Sequence, residues 1–282
     1  MKSRLLSLCM AFILTMGCLG MAASAEEEGV PVTGAGQQET LNGWVTKSGH
    51  TYYYKNGKMA VKPTKIDKKL YMFQTNGILK KKKGLYTYNG KEYLGKGDGT
   101  LKTGWQIVKK KYACFFSKSN GSMYKNRYYK HCKLPKNGRL GKAYVQGIKF
   151  MNKYGWTLKK AFKHSVWLTN YAYHDMRRNS VEAYAKYGFS KHKGNCFVFA
   201  SQFYICARLL GYNVTQWDGY VVSRDNPHSW CSIEYADGSV LIYYSSFADK
   251  NGISKGFGFK EGTKGTWRYM KTYRTPVKST TR

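Results

Sequence analysis

The sequence is short of acid: 15 Asp and Glu stand against 48 Lys and Arg, a formal net charge of +33 over 282 residues. A chain so unbalanced seeks polyanions, and that says something about partners, not about fold. Long apolar runs are missing beyond the first residues, which argues against a transmembrane anchor. No two cysteines have the Cys-x-x-Cys spacing of a zinc site, so no structural metal is expected, and nothing calls for a cofactor.

What is present begins with an export signal. Lys2 and Arg4 precede an apolar run from Leu5 to Met21, and Ala23, Ser24 and Ala25 supply the small residues of a cleavage site, so residues 1–25 read as a signal peptide. Its removal takes Cys9 and Cys18 and leaves Cys114, Cys132, Cys196, Cys206 and Cys231, an odd set with at least one free thiol. An exported basic protein meets wall polyanions before nucleic acid. The expected partner is therefore a cell-wall polymer, teichoic acid or glycan, with no nucleic acid.

Residues 26–40, including a Gly, Gln and Thr stretch, read as a linker. From Leu41 the chain is repetitive. Turn dipeptides fall at Asn56-Gly57, Asn76-Gly77, Asp98-Gly99 and Asn120-Gly121, at intervals of 20, 22 and 22 residues. Aromatic strands (Tyr52 to Tyr54, Tyr71, Phe73, Tyr93, Phe115, Phe116) precede them, and Gly43-Trp44 and Gly104-Trp105 open two of the units. The period predicts an all-β solenoid of aromatic hairpins, each marginal alone and stabilised by stacking on its neighbours.

Near Leu134 to Leu140 this texture ends. Ser180 to Tyr187 predicts a helix stopped by Gly188. Asn195 is placed to cap a longer helix, with Phe199, Phe203, Ala207 and Leu210 on its apolar stripe and Gly211 at its end. Strands are predicted over Val214 to Val222, Ser229 to Tyr235 and Ser239 to Ser245, the last two joined at Asp237-Gly238.

Cys196 opens that longer helix, where unpaired N–H groups and the helix dipole favour a thiolate. Cys206 and Cys231 lack this placement and read as core. His228 begins a strand just after a helix-strand unit that can bring it beside Cys196 as a base. His50, His131, His164, His174 and His192 have no such context.

Two resemblances follow from these residues. Leu41 to Lys133, with its Gly-Trp openings, aromatic strands and Asn-Gly turns, resembles the cell-wall-binding repeats of Gram-positive surface proteins, related to choline- and glucan-binding repeats. It implies ligand contacts at aromatic positions such as Trp44, Tyr53, Tyr71 and Trp105. Lysines at 80–83 and 109–111 favour an anionic or glycan ligand over a cationic one.

Gly194-Asn195-Cys196, Leu210-Gly211-Tyr212 and His228-Ser229-Trp230, in this order between Gly155 and Phe247, resemble the transglutaminase-like superfamily. That implies a papain-like α+β core, a Cys196 nucleophile, a His228 base, and an Asp that orients the histidine. The Asp is absent. Six residues beyond Gly238 stands Tyr244, followed by Ser245 and Ser246. A two-residue turn would set Ser245 opposite Trp230, whereas one bulged residue would restore Tyr244, which is the expected orienter; Asp249 lies off the pattern.

Together these readings predict hairpin repeats over 41–135 and a transglutaminase-like domain over 136–282, secreted and held non-covalently on the cell wall. The expected activity is acyl transfer or hydrolysis at an amide of a protein or peptide, with the Cys196 backbone N–H as oxyanion donor. The alternative is an inactive scaffold that only binds. Trp217 and Trp230 are open between lining an acyl tunnel and filling the core.

Overall fold

The computed structural model describes residues 41–172, 178–221, 224–264 and 269–281. The expected signal peptide, the linker and His174 lie outside the described residues. The first half is built from β1 (Gly43–Lys47), β2 (His50–Lys55), β3 (Lys58–Met59), β4 (Thr64–Ile66), β5 (Lys69–Tyr71), β6 (Lys83–Tyr88), β7 (Lys91–Lys96), β8 (Gly104–Val108), β9 (Tyr112–Phe116), β10 (Tyr128–Tyr129) and β11 (Cys132–Lys133). Successive antiparallel hairpins pair β1 with β2, β4 with β5, β6 with β7, β8 with β9 and β10 with β11.

The first four hairpins turn at Ser48-Gly49, Asp67-Lys68, Asn89-Gly90 and Lys109-Lys110, all at positive φ, and the fifth turns at Lys130, φ +50°. Three of the four dipeptides read as hairpin turns lie instead in the returns between hairpins, closed by the bridges Phe73↔Leu79, Gly95↔Leu101 and Phe116↔Met123. In each return the Asn or Asp carboxyl or amide oxygen accepts the N–H two residues on: Asn76 from Ile78, Asp98 from Thr100, Asn120 from Ser122. Only Asn56-Gly57 joins adjacent strands, β2 and β3.

The period has a packing cause. Gly99 and Gly121 have φ of +92° and +74°, and a Cβ on them would come within 2.7 Å of Leu79 and 2.5 Å of Leu101, the side chains of the preceding return. Each return glycine is thus the seat of the residue one repeat back. A Lys-Lys turn carries no such signature, which is why Lys109-Lys110 is invisible to a scan for turn residues.

The second half contains α1 (Lys142–Tyr154), α2 (Leu158–Trp167), β12 (Asn170–Tyr171), α3 (Val181–Lys191), β13 (Lys193–Gly194), α4 (Cys196–Leu210), β14 (Asn213–Val221), β15 (Arg224–Glu234), β16 (Val240–Tyr243), α5 (Ser245–Asn251), α6 (Ile253–Gly256), β17 (Phe257–Phe259) and β18 (Tyr269–Pro276). An antiparallel sheet runs in the order β17-β16-β15-β14-β18. Helix α4 lies against it and is buried nearly all round, with Phe199, Phe203, Ile205, Cys206 and Ala207 fully enclosed. Burying each large apolar side chain stabilises the fold by about 1.5–3 kcal/mol. Gly211, at φ +87°, ends the helix.

Helix α3 runs past Gly188 to Lys191 and is closed by His192 in the left-handed conformation. Gly188 is a contact, not a stop. A Cβ there would meet Val198 and Gln202 of α4 at 2.6 Å, so its bare backbone sets how closely the two helices approach. Asn195 occupies the N-cap of α4, but its side chain makes no capping hydrogen bond.

The array and the second half share one core: Ala113, Cys132, Leu134 and Leu140 cluster with Tyr144, Phe162, Phe203 and Tyr243, and Trp105 packs against them. The C-terminus is tied down as well. Tyr144 and Thr281 share a hydroxyl hydrogen bond of 2.7 Å, and Arg208 donates to the Thr281 carbonyl. Among the described residues no helix is long and apolar enough to cross a membrane.

Candidate active site

The site forms where α4 begins and β16 leaves the sheet. Cys231 pairs with Tyr243, and the Tyr235 N–H bonds to the Ser239 carbonyl around a loop of Ala236, Asp237 and Gly238. That third loop residue, with Gly238 at φ +79°, shifts the register by one and brings Tyr244 opposite Trp230. The expected position of Tyr244 is therefore reached through loop length and not through a strand bulge.

Side chains alternate along β15. Ser229 and Cys231 face α4, the Cys231 thiol lying 3.3 Å from the Ala200 carbonyl. His228 and Trp230 take the other face. There the Tyr244 hydroxyl meets His228 Nδ1 at 2.7 Å, across the diagonal of the strand pair. Trp230 is fully enclosed with Ile242, Tyr244, Phe247 and Phe259, which makes it core. Trp217 is half-buried on the same side, its Nε1 donating to Ser232 Oγ at 2.8 Å.

Cys196 meets the edge of β15 that β16 has vacated. Its Sγ lies 4.0 Å from the Pro227 carbonyl, and the Ser229 N–H is directed at the thiol. The contacts of the thiol thus bracket His228 in the chain, while the hydrogen bond at the imidazole runs to Tyr244. Asp249, on α5, is not needed for that bond. All five described cysteines are thiols.

Helix placement does not make Cys196 acidic. Only 4% of it is exposed, and burial pushes the thiol up to about 11, against the lowering pull of the N–H groups of Ser229, Phe197 and Cys196 itself. At the helix start desolvation opposes the expected favouring of a thiolate and outweighs the pull of these three N–H groups. The N–H groups of Cys196 and Ser229 both lie beside the thiol.

Sequence reading missed Asp218, Tyr184 and Gln216. Asp218 lies close enough for its charge to raise the Cys196 thiol further, and its own carboxyl is pushed up by burial. Tyr184 stacks on Phe197 at 5.3 Å and feels both Asp218 and Cys196. Gln216, buried, accepts from Ser201 Oγ at 2.7 Å and donates to Ser229 Oγ at 2.8 Å and the Phe197 carbonyl at 3.2 Å, locking the start of α4 to β15. The only sequence signal was polar residues at alternate positions, 216 and 218, of a strand otherwise rich in β-formers.

The four aromatic positions expected to hold a wall ligand fall into two clusters. Trp44, 42% exposed, meets Tyr53 and Tyr71 edge-on at 5.1 and 4.9 Å. Trp105 packs on Phe115 and Tyr129, and its Nε1 donates to the Leu209 carbonyl at 2.8 Å, so it fastens the array to α4. Among the described residues no cluster of His, Cys, Asp and Glu could hold a metal ion.

The first half is thus a β-hairpin repeat array, and the second a helix-and-sheet unit with a cysteine and a histidine on adjoining elements. No protein-family model and no curated protein matches the chain. Solved structures do. The chain is similar to choline-binding protein F from Streptococcus pneumoniae, crystallised with a peptidoglycan analogue, at 26% identity over 36% of this chain and 34% of that one, with a TM-score of 0.28. It is also similar to the pneumococcal cell wall endolysin from phage Cp-1, complexed with choline, at 25% identity over 33% of this chain and 28% of that one, TM-score 0.23. The choline-binding domain of Spr1274 from Streptococcus pneumoniae is matched over 99% of its length and 35% of this chain, at 21% identity and TM-score 0.21. The chain therefore spans about a third of the first two structures, and each likeness is confined to about a third of this chain.

Proposed function

We propose that the protein is a wall-associated cysteine enzyme of the transglutaminase-like type, with a papain-like arrangement in its second half. The observation that carries the reading is the 2.7 Å contact of Tyr244 with His228 Nδ1, on the strand whose backbone also holds the Cys196 thiol. With Nδ1–H donating to the phenol oxygen, Nε2 is the nitrogen that takes a proton.

Burial holds the Cys196 proton on the thiol, and in this mechanism His228 takes that proton as the sulfur attacks. Sγ bonds to the carbonyl carbon of a glutamine or peptide amide, and the N–H groups of Cys196 and Ser229 receive the developing oxyanion. His228 then passes its proton to the departing amine. The thioester is opened by a second amine, giving a crosslink, or by water, giving hydrolysis. Neither route calls for a cofactor. The hairpin array, exposing Trp44 and many lysines, keeps the enzyme at an anionic or glycan wall polymer.

Incubating the protein with glutamine- and wall-derived peptides and hydroxylamine tests this: a thioester gives an acyl hydroxamate, which Cys196→Ala must abolish. The neutral orienter and the buried, weakly acidic thiol favour a second reading, a binding protein that retains the scaffold without chemistry. No hydroxamate with any peptide between pH 6 and 10 would establish that reading instead.

A further inference from the structure

Three consecutive hairpins surround a cavity of about 580 Å³ whose rim carries Lys65, Lys68, Lys69, Lys96, Lys102 and Lys118. All six side chains are exposed, and buried Leu70 and Leu101 form the floor. No carboxylate lines the cavity. Asp67 and Asp98 stand on adjoining turns, and Asp98 is already bound by the N–H and hydroxyl of Thr100 at 2.8 and 2.6 Å. Six like charges at one opening repel by about 0.4 kcal/mol per pair at 10 Å in water, a cost an anion crossing the rim removes.

The lysine runs visible in the sequence lie elsewhere. Lys80 and Lys82 cover the faces of Tyr86 and Tyr88 at 5.1–5.9 Å, and Lys111 covers Tyr112 at 5.5 Å. Those rings already hold the chain's own ammonium groups. The cavity has the opposite character: lysines without a stacking partner in its lining, spread over three repeats along the array.

We propose that this lysine-rimmed cavity binds a linear polyol linked by phosphodiesters, with successive phosphates met by lysines of successive hairpins. The inference rests on the wall-binding reading of the array and gives it a site. Ammonium groups on flexible stems suit phosphates as point charges. No aromatic residue lines the cavity, so it has no platform for a stacked base and disfavours single-stranded nucleic acid.

The test uses the whole protein, synthetic poly(glycerol phosphate), a single-stranded DNA of equal charge, and purified Gram-positive cell walls. One variant combines K65Q, K68Q, K102Q and K118Q; a control removes the same charge from exposed helix positions with K142Q, K149Q, K159Q and K186Q. Unfolding midpoints establish that both fold. The cavity variant should bind poly(glycerol phosphate) about 100-fold more weakly near 0.1 M salt, with a salt slope smaller by about three, and the control should change less than about fivefold. Equal weakening of both variants, unchanged binding by the cavity variant, or DNA bound as tightly as poly(glycerol phosphate) overturns the proposal. If the unaltered protein does not sediment with cell walls, the wall-binding reading falls; if it does and the cavity variant sediments equally, only the cavity assignment falls.

Discussion

The two halves of this protein hold themselves together in different ways. In the array, small clusters such as Ile66, Phe73 and Leu79, then Leu70, Met72, Tyr86, Tyr93 and Leu101, then Leu94, Val108, Cys114, Phe116 and Met123, follow one another. Each is built from neighbouring repeats, so stability is nearly a sum of local terms. In the second half one cluster joins five helices and three strands through residues such as Tyr144, Phe162, Val181, Phe203, Ile233, Tyr243 and Ala248, and the last repeats enter it. The array is thus expected to tolerate local damage better than the second half, where the site draws on α4, β15 and the residue that precedes α5.

The sharpest way to break this comparison is chemical. Cys196 and Cys206 share one helix, yet Cys196→Ala should lower hydroxamate formation by at least about 10³-fold while Cys206→Ala leaves it near its starting rate. Equal effects would mean that the helix start has no special chemistry.

Next comes a pair of core deletions. Phe203→Ala should cost about 3–5 kcal/mol and lower the urea midpoint of the helical circular dichroism signal. Phe73→Ala, equally buried, should loosen the first repeats and leave that helical midpoint in place. A shift in both would show that the array and the second half unfold together from end to end.

Within the array, Gly99→Ala should destabilise by about 1–3 kcal/mol, because φ is positive and the new methyl meets Leu79. Combining it with Leu79→Ala should cost less than the sum of the two single changes. Additivity would deny the seat that sets the period.

Alkali offers a gentler comparison. Burial raises Cys114 in the array and Cys196 in the second half, each to about 11 from an unfolded value of 9.0. The folded state holds these protons more tightly, so the stability they contribute is complete below pH 9 and is lost as pH rises towards about 11. Urea midpoints should fall over that window, less steeply in Cys114→Ala or Cys196→Ala. The smallest effect should come from Tyr244→Phe, which removes one hydrogen bond worth about 1 kcal/mol: stability falls by about that amount and turnover by about five- to tenfold.

Much of the fold was legible in the residues. The starts of α3 and α4 are local, set by Ser180 and by the run from Cys196 to Gly211, where each residue's neighbours lie within one or two turns. The turn at Lys109-Lys110 was not legible, because its conformation is imposed by strand pairing against the preference of lysine. Gly188 reads locally as a helix stop because the reason for a glycine there, the approach of Val198 and Gln202, lies ten and fourteen residues further along the chain.

By itself the sequence determined the compositional facts: a strongly basic chain, a repeating half and a non-repeating half, and a cysteine at a helix start ahead of a histidine on a strand. Only the tertiary structure decided the rest. The three-residue loop at Asp237 sets which residue faces Trp230, burial and not helix position governs the Cys196 proton, and lysines from three hairpins meet at one cavity. Composition and local periodicity are carried by adjacent residues, whereas register, desolvation and the convergence of charge depend on which distant segments come into contact.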